Sequence, residues 1–195
     1  DWAGLWLIAT FPSKHYDIEQ YPAVKQHLLS FGKERLEQSG KEYLINGEKV
    51  KARKKTNNQW FETQDSISYS DDFSQPKIVW GNLSLTASYA LVDKEYYVNA
   101  PSPMIVPASK YLLAILNSRL ADFYIQLLGV TRNGGYFEYK PVFVEQLPVP
   151  VLKDGDPYLL KLEALVDSLD YQAIDQSFYD LYGLSEDERD YLGVV

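Results

Sequence analysis

The stretch from Lys77 to Leu128 does most to fix what this chain can fold into. It opens with Lys77-Ile-Val-Trp80, a short apolar, β-branched and aromatic run behind Ser74-Gln-Pro76, the pattern of a buried strand entered from a turn. It ends in an expected helix. Ser109 is a good N-cap, Leu112, Leu116, Leu120, Phe123 and Leu127 recur at three- and four-residue steps as a core stripe, and Gly129 stands where a helix closes on a left-handed residue. Between the two, Tyr89 to Asn99 reads as two extended segments joined at Asp93-Lys94, and Met104-Ile-Val106 as a third, stopped by Pro107. Strands leaning on such a helix predict an α+β fold: a mixed sheet packed on amphipathic helices, with a helical C-terminal tail.

With 195 residues and 46% hydrophobic content, the chain can bury a full core without a disulfide or a metal. One principal domain is expected over residues 1–150, with residues 151–195 an acidic helical tail packed on that body or on a domain outside this chain. The absence of cysteine excludes a disulfide scaffold and a thiol zinc site. No apolar run approaches the roughly 20 residues of a membrane span. Opening on Asp1 with no charged-then-apolar leader, the chain is expected to be a soluble, cytoplasmic piece of a longer protein.

The net charge of −8 argues at first against a nucleic-acid partner, because phosphate binding wants Lys and Arg. Its distribution reverses that. Residues 141–195 hold 12 acidic and 3 basic side chains, which leaves residues 1–140 with 16 basic and 15 acidic. Within them, Lys41, Lys49, Lys51, Arg53, Lys54 and Lys55 face only Glu42 and Glu48 up to Trp60. A basic patch on a neutral body follows.

Taken in order, Trp2 to Phe11 reads as a strand, and Tyr21-Pro22 starts a helix carried by Val24, Leu28, Leu29 and Leu36 through Arg35 to a stop at Ser39-Gly40. Ile45-Asn-Gly-Glu48 is a tight-hairpin signal, because Asn-Gly readily takes positive φ. Lys49 to Gln59, poor in apolar residues, reads as a mobile loop or an exposed strand edge, and Trp60-Phe61 returns to the core. Thr131-Arg-Asn-Gly-Gly135 is a glycine-rich turn, followed by an expected strand from Tyr136 to Val144. In the tail, Tyr158, Leu159, Leu162, Leu165, Val166 and Leu169 form one helical stripe. Ile174, Phe178 and Leu181 form another, ending at Gly183, and Ser185-Glu-Asp-Glu188 has the form of a capping box.

Catalytic constellations fail one by one. His15 and His27 make no helical zinc site, no glycine signature cradles a nucleotide phosphate, and no Asn-Pro-Pro-Tyr motif holds a flipped base. Asp122 with Glu138-Tyr-Lys140 mimics the spacing of metal-dependent nucleases, but Asp122 falls inside the predicted helix rather than at a strand end. No catalytic and no metal-binding residues are expected. Binding features survive better. Lys49, Lys51, Arg53, Lys54 and Lys55 are candidate phosphate contacts, and Asn57 and Asn58 carry amides that can pair with adenine; the alternative is a solvated loop. Arg132 and Asn133 either read a guanine and an adenine from their glycine turn or form a plain hairpin tip.

Leu7-Ile-Ala-Thr10, Tyr21-Pro-Ala-Val-Lys-Gln-His-Leu28, Trp60-Phe-Glu-Thr63, Pro76-Lys-Ile-Val79, Tyr111-Leu-Leu-Ala-Ile-Leu-Asn-Ser118 and Leu147-Pro-Val-Pro150 occur in that order. This series resembles the TaqI-like C-terminal specificity domain, the target recognition domain of adenine-specific DNA methyltransferases and of fused type II restriction–modification enzymes, phage-defence methyltransferases among them. The tail, with Leu181-Tyr-Gly-Leu184, is similar to the helical ends of those proteins. The resemblance implies that residues 1–150 are a non-catalytic module reading a short site in double-stranded DNA. The adenine-N6 methyltransferase domain, with its S-adenosylmethionine, would lie elsewhere in the parent chain, with or without a fused endonuclease. In such enzymes the adenine is extruded toward the methyl donor, so the module must grip the flanking duplex. The residues that read bases vary with the site, so the resemblance transfers a role to the loops and no individual contacts. A second class stays open: a protein-interaction or dimerisation module using the acidic helices of residues 157–192. Salt separates the two, since phosphate binding weakens steeply with salt and apolar helix packing does not.

Overall fold

The computed structural model describes residues 3–194. The chain divides into two compact units, Asp1–Ser70 and Asp71–Val195.

In the first unit, α1 (Pro22–Leu29) begins on a proline, whose missing N–H is no loss in a first turn. The helix expected to continue to Arg35 is interrupted: Gly32, at φ 88, turns the chain before α2 (Lys33–Leu36). β1 (Glu42–Ile45) and β2 (Glu48–Lys51) form the expected hairpin, with Ile45 opposite Glu48 and with Asn46 and Gly47 at φ 50 and 85. Phe11, Ile18, Ala52 and Phe61 are buried. The strand expected from Trp2 to Phe11 does not form over residues 3–11, and Trp2 lies outside the described residues. Leu5, Trp6 and Leu7 are 78%, 88% and 54% exposed. Apolar content alone does not make a strand without a ladder to join. Thr10 instead ties this run to the turn that follows Trp60, accepting from the Thr63 N–H at 2.9 Å and donating to the Phe61 carbonyl at 2.8 Å.

The second unit contains β3 (Lys77–Trp80), β4 (Leu83–Ser84), β5 (Tyr89–Val92) and β6 (Met104–Ile105). β3 is the central strand between β5 and β6, and both ladders are antiparallel. The α+β class therefore holds, but the sheet is not mixed: all the described ladders are antiparallel, in three small sheets. The link from β3 to β5 is too short for a parallel crossover. Beyond β5 the second extended segment expected before Asn99 is not a strand; Lys94 N–H closes on Asp93 Oδ1 and Glu95 takes φ 69. Lys77, at the head of the apolar run, is fully buried and donates from Nζ to the carbonyls of Phe73 and Asp93. Burial lowers its pKa and the Asp93 charge opposes that.

The helix expected from Ser109 to Leu128 is two helices, α3 (Lys110–Leu116) and α4 (Arg119–Leu128). Ser109 caps the first through Leu112 N–H, and Ser118 caps the second through Ala121 N–H. Between them the Asn117 amide clamps β5, accepting from the Tyr89 N–H and donating to the Tyr89 carbonyl, both at 2.9 Å. The break resets the helical phase, so Tyr111, Leu113, Ala114, Ile115, Leu116, Ala121 and Ile125 are the buried apolar residues and Leu127 is 68% exposed. Gly129 likewise acts for another reason than expected. Its φ of −80 is ordinary, but a Cβ there would lie 2.9 Å from the Glu138 carbonyl oxygen.

The strand expected from Tyr136 to Val144 shrinks to β7 (Phe137–Glu138), paired with β4, because Pro141 opens α5 (Pro141–Val144). The tail forms α6 (Pro157–Asp167), α7 (Tyr171–Tyr182) and α8 (Glu186–Val194). Gly183 closes α7 at φ 68, and Ser185 and Glu188 exchange capping bonds as their spacing predicts. Leu162, Val166, Ile174 and Phe178 share one core with Ile78, Trp80, Ile115 and Ile125. The tail's apolar stripes are thus covered inside the second unit, except at Leu169, which is exposed. Among the described residues no helix is long and apolar enough to cross a membrane.

Substituting Gly129 by Ala should push the helix end and the β7 carbonyl apart and cost about 1–3 kcal/mol of stability. Urea unfolding checks it: a midpoint at the wild-type value would show that the Gly129–Glu138 approach is not tight.

Candidate nucleic-acid interface

The turn after α4 is shaped by Gly134 and Gly135, at φ 83 and 79, and closed by Arg132 N–H donating to the Tyr136 carbonyl at 2.7 Å, with Thr131 bridged to Phe137. Two consecutive positive-φ residues suit glycine, so Arg132 and Asn133 sit on a turn of defined shape. Glu138 follows on β7 and is only 6% exposed. Its Oε1 accepts from Arg132 Nε at 2.6 Å and from Nη2 more closely still, and its Oε2 is paired with Lys140 Nζ at 2.8 Å. Hydrogen bonds from Lys140 and then Arg132 hold the Glu138 carboxyl below the usual carboxylate range. Both cations keep much of their surface, with side chains 54% and 46% exposed. They open, with Asn82, Thr131 and Asn133, on a cleft of about 540 Å³.

Tyr139, between Glu138 and Lys140, is buried and anchors this rim. Its hydroxyl donates to Asp122 Oδ1 at 2.5 Å and accepts from Gln126 Nε2, while its carbonyl accepts from Trp80 Nε1 at 2.6 Å. Asp122 also accepts from Ala87 N–H. Asp122 and Glu138 therefore belong to different networks, and the nuclease-like spacing is not a nuclease-like cluster. Among the described residues no group of three or more His, Cys, Asp and Glu is placed to hold a metal ion.

The basic segment lies in the first unit, so the structure does not unite it with Arg132 and Asn133 in one compact body. Lys49, Lys51, Lys54 and Lys55 are exposed, Lys49 facing Glu42 across the hairpin at 3.2 Å in a largely solvated pair of little strength. Arg53 is different. Its Nε and Nη2 donate to the Leu36 carbonyl, Nη1 to the Glu62 carbonyl at 2.9 Å, and Nη2 also to the Trp60 carbonyl. Burial lowers its pKa, opposed by the charge of Glu37, and the guanidinium serves as a clasp on three backbone carbonyls from two segments. Asn58 is likewise turned inward, with Nδ2 donating to the Thr63 and Gln64 carbonyls, whereas Asn57 is exposed. Sequence reasoning missed Asn82 at the cleft and weighed Lys140 only as nuclease chemistry. The usable signal was Arg132, Glu138 and Lys140 alternating in sign around a glycine turn.

These features of an α+β scaffold presenting polar loops coincide with a family. Residues 15–149, well over half of the chain, match the TaqI-like C-terminal specificity domain, and the chain belongs to that family. It is also 26% identical over 206 residues to the Type II methyltransferase M.XhoI of Xanthomonas vasicola. That match covers the whole of this chain and 34% of the relative, so the chain spans about a third of the relative's length.

Two outcomes follow from the geometry. Arg53→Ala strips donors from three carbonyls and should cost about 1.5–3 kcal/mol, whereas Lys54→Ala should stay within about 0.5 kcal/mol; equal unfolding midpoints would refute the clasp. For Glu138, a depressed folded pKa means its stabilisation is complete above the unfolded carboxylate value near ~4.3 and is lost as pH falls through the folded one. The stability gap between wild type and Glu138→Gln in urea titrations should therefore be widest near neutrality and shrink as pH falls below the unfolded carboxylate value. A gap independent of pH would refute the ion-pair reading.

Proposed function

We propose that this chain is the sequence-reading, double-stranded DNA recognition module of an adenine-N6 DNA methyltransferase of a restriction–modification system. The methyl transfer and its S-adenosylmethionine belong to another part of the parent chain. What supports the reading is the membership in a family of specificity domains, together with a polar cleft whose cations are fixed on a shaped turn. Lys49, Lys51, Lys54 and Lys55 act as phosphate contacts on a segment suited to many loose ion pairs. Arg53 and Asn58 are left out of the contact set, because their N–H groups are spent on backbone carbonyls. Arg132 and Asn133, held on the turn, are the base readers, and Asn57 is a further candidate. The tail's acid keeps phosphate away from the helical side of the second unit.

The test is a competition titration of the full parent enzyme against its own site, mapped from its methylation marks, and a scrambled duplex at two salt concentrations. Each lysine-to-alanine change should weaken both duplexes alike and lower the salt slope by about 1. Arg132→Ala should cost about 1–3 kcal/mol on the proper site and little on the scrambled one. Equal losses on both duplexes would remove Arg132 from base reading, and no loss for the lysines would return their segment to plain solvated surface.

A further inference from the structure

Beside the amides of Asn82 and Asn133 and the Thr131 hydroxyl, the rim of the cleft around Arg132 carries charged groups that point to one kind of base edge. Its carboxylate, Glu138, is buried and has both oxygens occupied, Oε1 by Arg132 and Oε2 by Lys140. What the charged rim offers outward is N–H donors, from the exposed parts of the guanidinium and the ammonium. Of the four bases, guanine alone presents two acceptors, N7 and O6, on its major-groove edge; adenine pairs an acceptor with a donor, and cytosine presents a donor. A guanidinium gripped at Nε and Nη2 by a carboxylate is also fixed in its plane, which removes rotamer freedom that an unsupported arginine would lose on binding.

Resting on the DNA-recognition reading above, we propose that Glu138 is a positioning residue for specificity: it touches no base, and it aims Arg132 so that the outward N–H groups read one guanine of the target site. Lys140 holds the second carboxylate oxygen and keeps the pivot from turning. The proposal assigns a role to a buried acid that phosphate binding alone would disfavour.

The experiment uses the full parent enzyme and its mapped site with each guanine in turn replaced by 7-deazaguanine, which lacks the N7 acceptor. At one guanine, wild type should lose about tenfold in affinity, since one of the two acceptors of a bidentate contact is gone. Arg132→Ala and Glu138→Gln should each abolish that discrimination, and the double variant should lose no more than either alone, while affinity for a scrambled duplex stays within about twofold. A purely structural Glu138 would instead lower the unfolding midpoint and leave 7-deazaguanine discrimination intact, which overturns the proposal. Should Glu138→Gln not fold, Glu138→Asp carries the test: it keeps the charge but draws the carboxylate back from Arg132, and it must weaken the same discrimination. Failure of the underlying reading looks different, since wild type would then prefer no duplex over another. Specific binding with no guanine sensitive to both substitutions would sink the positioning role alone.

Discussion

The second unit depends on what converges at Tyr139. Its ring is buried, its hydroxyl joins Asp122 and Gln126 on α4, its carbonyl receives the Trp80 indole from β3, and its N–H donates to the Asn82 carbonyl at 2.8 Å. One residue thereby connects the central strand, the long helix and the rim of the cleft. Burial and the neighbouring Asp122 carboxylate raise the phenol's pKa, which keeps its proton on the bond to Asp122. In a low-dielectric setting such fully partnered networks are stiff, and a missing partner leaves a buried polar group unsatisfied. Glu138 and Lys140 flank this anchor in sequence, which makes the rim as well placed as the core beneath it.

Charge is arranged in two tiers on that frame. The acidic tail is answered in part within the unit, through Lys110 with Asp167 at 2.7 Å, Arg119 with Asp175 and Arg189 with Asp180 at 2.9 Å. The first and last of these pairs are largely exposed and contribute little each, whereas Asp175 is mostly buried. The first two join α6 to α3 and α7 to α4 alongside the apolar contacts of Leu162 and Phe178, and the third joins α8 to α7. The net acidity of the chain is therefore a property of the helical side, and a local donor-rich cleft is compatible with it.

Much of this was legible in the sequence where a residue type admits one conformation. Asn46-Gly47 announces its turn, Ser185 and Glu188 their box, Ser109 its cap and Gly134-Gly135 their hairpin, because each rests on local chemistry. The break at Asn117-Ser118 was not legible, since it comes from the Asn117 clamp on Tyr89, a tertiary contact that overrides a continuous helical pattern. Gly129 was marked correctly as special but for a wrong cause: close approach of the Glu138 carbonyl leaves no trace in periodicity. In the candidate interface, a run of five cations looks uniform in sequence. Only folding distinguishes Arg53, whose donors meet three carbonyls, from the lysines on either side. Lys77 illustrates the same limit, a charged residue serving as a buried cross-link at the start of an apolar strand.

The Arg53 clasp also separates two kinds of sequence freedom. Behind it, Leu36, Trp60 and Glu62 are gathered onto one guanidinium. Ahead of it, the β1–β2 ribbon is held by its own ladder and the Asn46-Gly47 turn, with Tyr43 hydrogen-bonded to Ser39 nearer the base. Residues added or removed at that tip would lengthen or shorten a two-stranded arm while leaving its base undisturbed, since exposed loop tips tolerate such changes best. The hairpin is thus a place where the reach of this unit can change while its root holds.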